Sequence, residues 1–156
     1  MACIFKGSIT SKDWIENNKG WDEIISIATN RREKSLQRLL HLSGKYYCST
    51  NNIDMSFEAN EGPGPVDLKI SRGMDKTVVE IKLSSNEDYM HGYEEQIEKY
   101  AKAEETDKRI FVYVKVVNPI RDKKIEQRHI ERTESFENSP LLFVIDSQIQ
   151  KTASKK

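Results

Sequence analysis

Gly64-Pro65-Val66-Asp67-Leu68-Lys69-Ile70 and Thr77-Val78-Val79-Glu80-Ile81-Lys82-Leu83 are two runs in which apolar residues alternate with others, the period-two pattern of strands. Side chains two apart on a strand point the same way. Val66, Leu68 and Ile70 therefore share one face of the first run, and Asp67 and Lys69 the other. In the second run, Val79, Ile81 and Leu83 share one face, and Glu80 and Lys82 the other. The intervening Ser71-Arg72-Gly73-Met74-Asp75-Lys76 holds a Gly and an Asp suited to a hairpin loop. Antiparallel pairing brings Asp67 near Glu80 and sets two carboxylates and one ammonium on a single face of a sheet. Two carboxylates form a hard oxygen site suited to Mg²⁺, an ion that can activate water and stabilise charge on a phosphate under attack. A neighbouring lysine can hold the nucleophile or a phosphate oxygen.

Working outward towards the N-terminus, the glycine- and proline-rich Glu61-Gly62-Pro63-Gly64-Pro65 fixes the approach to Asp67. It lacks the Lys-Ser/Thr and following helix of a phosphate-cradling P-loop. Ile53, Met55 and Phe57 alternate as a preceding strand. Gly44 suits a helix C-terminus, after which Tyr46, Tyr47 and Cys48 read as extended. Asp22 to Leu42 has helical spacing, with Ile24, Ile25, Ile27 and Ala28 as one apolar set, Leu36, Leu39 and Leu40 as another, and Thr29-Asn30 as a break between two helices. Glu33 lies on the buried edge of the second helix; it is either an ordinary first-turn acid or a group reaching the site. Before that, Ser11 reads as the cap of a short helix, and Trp14 and Trp21 as packing residues.

Towards the C-terminus, Ser84-Ser85-Asn86-Glu87-Asp88 is a polar turn at the strand end, beside the proposed site. Tyr89 to Glu104 reads as a helix on which Tyr93, Gln96, Ile97, Tyr100 and Ala101 share a face. A glutamine within such a face is unusual unless hydrogen-bonded. His91 lines the cleft or is a surface group. Arg109 to Val117 is nearly continuously apolar, the mark of a central buried strand. Arg121 to Phe136 reads as a helix with Ile120, Ile125 and Ile130 as its sparse apolar set. Its Arg121, Lys123, Lys124, Arg128, His129 and Arg132 form either a stripe that follows a phosphate backbone or a solvated mixed-charge face. Leu141 to Asp146 reads as another buried strand.

The resulting fold class is α/β, a mixed central β-sheet flanked by helices, in the order αβββαβ with an additional αβ unit. We divide the chain into an N-terminal segment, 1–20, a domain, 21–147, and a polar tail, 148–156. The 156 residues suit one domain. Lys and Arg number 25, as do Asp and Glu, so no overall basic field advertises a polyanionic partner, and binding nucleic acid requires a local patch or metal ions. Cys3 and Cys48 form neither a disulfide framework nor a zinc spacing, which predicts a reduced, cytoplasmic setting. The N-terminus lacks the pattern of a signal peptide, and no run reaches the ~20 apolar residues of a membrane span.

The motifs together resemble the PD-(D/E)XK nuclease superfamily. Pro65-Val66-Asp67 matches the first half with one residue inserted, and Glu80-Ile81-Lys82 matches the second without departure. Gln96 and Tyr100 match the QxxxY motif of the branch that holds RecB-type and lambda-exonuclease-like nucleases; the likeness runs from Glu33 to Val117. It implies a restriction-endonuclease-like core and Mg²⁺- or Mn²⁺-dependent hydrolysis of phosphodiester bonds in DNA, with RNA left open. It also implies metal binding by Asp67, Glu80 and the backbone carbonyl of Ile81, with Glu33 supporting the metal through water. Lys82 would position or activate the attacking water, and Gln96 and Tyr100 would hold the site and the substrate strand. Further domains, protein partners and a homodimer remain open. The alternative is a catalytically silent nucleic-acid- or protein-binding module on the same fold.

Overall fold

The computed structural model describes residues 2–60, 64–135 and 138–148. Three helices come first: α1 (Ala2–Asn17), α2 (Gly20–Ser26) and α3 (Thr29–Thr50). Ser11 is not a helix cap: it lies within α1, buried, with its hydroxyl 2.7 Å from that of Ser43. The break between helices falls at Ile27-Ala28, just before the predicted Thr29-Asn30. Gly44 does not end α3. The apolar stripe continues through Leu36, Leu40, Gly44 and Cys48, all buried, and the Met55 side chain lies where a Cβ on Gly44 would be, 2.7 Å away at its Cε. The helix therefore carries Tyr46, Tyr47 and Cys48, expected as extended, and stops only before Asn52, whose φ is +54°.

The sheet has five strands in the order β1 (Asp54–Asn60), β2 (Pro65–Arg72), β3 (Asp75–Leu83), β4 (Arg109–Lys115) and β5 (Leu141–Asp146). The first three are antiparallel neighbours, and β3–β4 and β4–β5 are parallel. Gly73, at φ +61°, occupies the first central position of the two-residue turn between Arg72 and Asp75, where a II′ turn requires a positive φ. The β3–β4 crossover holds α4 (Tyr89–His91), a π-helical turn (Gly92–Gln96) and α5 (Ile97–Ala103); α6 (Pro119–Glu134) joins β4 to β5. Its cap is Asn118, whose Oδ1 accepts from Arg121 N, with Pro119 at the first turn. The mixed α/β architecture and strand order agree with the sequence reading.

Each face of the sheet has its own core. Ile15, Ile24, Leu36 and Leu40 of α1–α3 pack on Leu68, Ile70, Val79, Ile81 and Leu83. On the opposite face, Tyr89, Tyr93, Ile97 and Tyr100 pack with Val78, Phe111, Tyr113 and Ile125. Val66 joins this second core and not that of Leu68 and Ile70. The strict alternation fails at Asp67, where the β1–β2 ladder skips the Glu58–Asp67 pair and Glu58 takes φ +51°.

Two further expectations are corrected. On α6 only Ile125 of the three isoleucines is buried; Ile120 and Ile130 are exposed, and Asp122 and Arg132 take the other inward positions. Strand β5 is an edge strand, half-buried apart from Ile145, and α1 covers it: Lys12 Nζ donates to Val144 O (2.6 Å), and Asp146 N donates to Glu16 Oε1 (2.7 Å). Gln148, the first residue of the predicted tail, is held through its Nε2 to Asp122 Oδ2 at 2.9 Å; 149–156, like Glu61-Gly62-Pro63 and Phe136, lie outside the described residues. Among the described residues no helix is long and apolar enough to cross a membrane.

Trp14 lies flat against the backbone at Gly20, where an added Cβ would come within 2.5 Å of the ring. Gly20→Ala should destabilise the chain by about 1–3 kcal/mol, the usual cost of overpacking, read as a lower urea midpoint with unchanged slope. An unaltered midpoint would show that Trp14 is not seated there.

Candidate active site

The site forms where β2 and β3 part. Their pairing runs from the turn to Leu68↔Val79 and stops, while β3 continues beside β4 to Leu83. Beyond the split, the Asp67 side chain takes over the role of a strand partner: its Oδ2 accepts the Ile81 N–H at 2.8 Å. Its Oδ1 accepts from Gln37 Nε2 of α3, also at 2.8 Å. Asp67 is thus fixed from both sides and nearly buried, 7% exposed. Glu80 and Lys82 project from β3 on the α4–α5 side, with Lys82 Nζ 2.7 Å from Glu80 Oε1 and 3.9 Å from Glu33 Oε1.

Glu33 is itself held. Its Oε2 accepts from Leu83 N at 3.2 Å, and both its oxygens accept from Asn86 Nδ2 at 2.9 Å. The polar turn after β3 thus supplies an amide to the site, as its composition suggested. Arg121 of α6 secures that turn by donating to Ser84 O and Asn86 O, each at 3.1 Å.

The π-helical turn passes directly over Lys82. A Cβ on Gly92 would lie 3.0 Å from Lys82 Cε and 3.2 Å from its Cγ, so a glycine here leaves the lysine its channel to Glu80. A π turn often marks a functional site. It carries Gln96, half-buried, whose Nε2 donates to Tyr100 Oη at 3.2 Å. Burial, and next the Glu80 charge, raises the Tyr100 pKa, with Lys82 and Asp67 also acting on it. The site thus gathers Glu33, Asp67, Glu80, Ile81, Lys82, Gln96 and Tyr100 around the end of β3. His91 stands apart, exposed with its Nδ1 3.6 Å from Glu95 Oε1.

Electrostatically the site is short of positive charge. Burial, and next the Asp67 charge, raises Glu80 to about 8 against the pull of Lys82. Burial likewise raises Asp67 to about 6, opposed by the Ile81 N–H and by Lys82. Burial tends to lower the Lys82 pKa, but the Glu80 carboxylate outweighs it and leaves the ammonium more firmly protonated than usual. Glu80 Oε2 is buried and has no hydrogen-bond partner among the described residues. An unpartnered buried carboxylate oxygen beside a second carboxylate is the donor chemistry a hard divalent cation satisfies. Among the described residues no three acidic, histidine or cysteine side chains converge as a metal cage. Asp67 and Glu80 would therefore be the protein's charged ligands, which suits Mg²⁺, an ion that keeps several waters and substrate oxygens.

The sequence reading missed Gln37 and Gly92. Gln37 was legible in principle: it stands four residues after Glu33, one turn along the same helix edge. Its Oε1 is also buried and unpartnered. The role of Gly92 depends on the π turn, which no residue pattern announced.

A family model described as a domain of unknown function (DUF8371) matches residues 8–118, and the chain belongs to that family. The match takes in every residue of the site. No curated protein and no solved structure matches the chain.

The two raised carboxyl groups set a pH dependence. Each binds its proton more tightly folded than unfolded, so their protonation favours the fold. That contribution is fully present below the ordinary values of 3.8 and 4.5 and is lost as pH rises through about 6 and then about 8. Without divalent metal, stability should fall by on the order of 1–3 kcal/mol across that window, and Glu80→Gln should flatten the trend. Thermal melts at stepped pH in EDTA measure it; a melting temperature indifferent to pH, or an unchanged trend in the variant, would sink the assignment.

Proposed function

We propose that this DUF8371 domain is a metal-dependent nuclease of the PD-(D/E)XK type that hydrolyses phosphodiester bonds in DNA. The observation that carries the reading is the buried Asp67–Glu80 pair beside Lys82, with Glu80 Oε2 left without a donor. A bound Mg²⁺ or Mn²⁺ would supply charge neutralisation at the scissile phosphate and a more acidic water.

The chain's own residues do the positioning. Asp67 and Glu80 hold the cation site, and the Ile81 N–H and Gln37 fix Asp67 at its edge. Lys82, kept protonated by Glu80, orients the attacking water or a phosphate oxygen as a point charge. Glu33, anchored by Asn86 and Leu83 N, holds the far side of that ammonium or a water next to it. Gln96 and Tyr100 present an amide and a phenol where the substrate strand would lie. Gly64, at φ +122°, takes a backbone conformation that favours glycine, and a Cβ there would be in ordinary contact with Tyr100 Oη at 3.8 Å.

One observation favours the catalytically silent alternative. Both Asp67 oxygens already accept protein hydrogen bonds, and Asp67, Glu80 and Lys82 are each under a tenth exposed. A silent module would keep such a closed polar cluster as structure alone.

The test is cleavage of supercoiled, linear and single-stranded DNA, and of RNA, with and without Mg²⁺ or Mn²⁺. Asp67→Ala, Glu80→Ala and Lys82→Ala should each lower metal-dependent cutting by about 10²-fold or more while circular dichroism stays unchanged. Gly92→Ala should give a smaller loss, because it crowds Lys82 without removing it. Full activity in the three alanine variants excludes this site. Absence of both cutting and calorimetric metal binding in the wild type turns the assignment to the silent module.

A further inference from the structure

The chain's zero net charge hides an uneven distribution. Many basic side chains are paired: Lys34 with Glu58, Lys69 and Lys76 with Glu104, Lys108 with Asp75, Lys115 with Glu126, and Arg109 with Glu98. The stripe read on α6 is largely internal, because Arg128 pairs with Glu94 and Arg132 with Glu94 and Glu98.

Helix α3 differs. It carries Arg31, Arg32, Lys34, Arg38 and Lys45 against a single acid, Glu33, and that acid is turned to the site. Arg32 is occupied with Ile25 O and Ile27 O. Arg31, Arg38 and Lys45 are exposed, and among the described residues none of them has a hydrogen-bond or ion-pair partner. Their spacing of seven residues places them in one row, about 21 Å long at 1.5 Å per residue. Leu42 and Tyr46 stand exposed beside that row, Tyr46 at 79%.

We propose that this outer face of α3 binds the phosphodiester backbone of nucleic acid and guides it to the site, with Tyr46 as a stacking platform. The choice of ligand rests on the nuclease reading. Three unpaired cations in a row, without an acid among them, complement a polyphosphate, and an exposed aromatic beside the end of the row suits an unstacked base. The same helix also carries Glu33 and Gln37 of the site. Lys34 lies on the intervening flank, close enough for its charge to act on the Asp67 carboxyl.

Binding can be measured apart from chemistry. A fluorescein-labelled single-stranded oligonucleotide and its duplex are titrated in EDTA by anisotropy at several salt concentrations. The proteins are wild type, the triple variant Arg31→Ala/Arg38→Ala/Lys45→Ala, Tyr46→Ala, and Lys123→Ala/Lys124→Ala as a control of equal surface character. The triple variant should bind at least about tenfold more weakly, with its salt slope reduced by about two to three. Tyr46→Ala should weaken the single strand more than the duplex, and the α6 control should bind as wild type. A triple variant with wild-type affinity and slope overturns the proposal, as does a wild type that binds no oligonucleotide at low salt. Tighter binding to phosphatidylserine vesicles than to either oligonucleotide also overturns it, in favour of a membrane surface. If the triple variant loses binding but the wild type cuts nothing with metal, the α3 surface stands and the nuclease assignment alone fails.

Discussion

The site depends on one substitution of hydrogen-bonding partner: the Asp67 carboxylate, not a neighbouring strand, takes the Ile81 N–H. A buried amide must be satisfied, and where β2 leaves β3 its usual partner is gone. The Asp67 side chain closes that gap, so the sheet opens without an orphaned donor. The carboxylate is thereby drawn beneath the sheet surface towards Glu80. Burial then does the chemical work, because two acids withdrawn from water beside one lysine cannot all be charged comfortably. The positive φ of Glu58 and the shift of Val66 to the second core are the local distortions that accompany the opening.

Much of this was legible in the residues because strand period and charge placement encode it directly. The hairpin, the shared face of Glu80 and Lys82, the approach of Asp67 and the buried β4 all follow from alternation. What failed depended on packing between distant segments. Gly44 looks like a helix end until Met55 is seen lying against it. Leu141 to Asp146 reads as buried because its composition is apolar, yet its place in the sheet makes it an edge. Ile120 and Ile130 suggest an inward face of α6, whereas Asp122 and Arg132 are tied to Tyr113 and to Glu94 and Glu98. Val66 shows the limit of period-two reasoning, since it joins the second core although the β1–β2 register is the same on both sides of Asp67.

The charge pattern has the same lesson. From sequence, α6 holds the conspicuous basic run, and α3 passes as an ordinary amphipathic helix. Only pairing distinguishes them. Arg128 and Arg132 of α6 face Glu94 and Glu98 across a helix interface and serve to hold α6 on α4–α5, while Arg31, Arg38 and Lys45 of α3 face outward. Formal charge counts side chains, but the field a ligand meets is set by those whose partners are absent.

The cover over β5 carries a consequence for how this sheet ends. An edge strand offers free amides and carbonyls to any other extended chain. Here α1 meets that edge with side chains, Lys12 standing in for a donor and Glu16 for an acceptor, so the helix imitates a sixth strand without being one. Residues far from the site thus act as a guard against self-templating. A chain trimmed through Glu16 would keep every group of the site, yet present Leu141 to Asp146 as an open seam along which sheets of separate molecules could join.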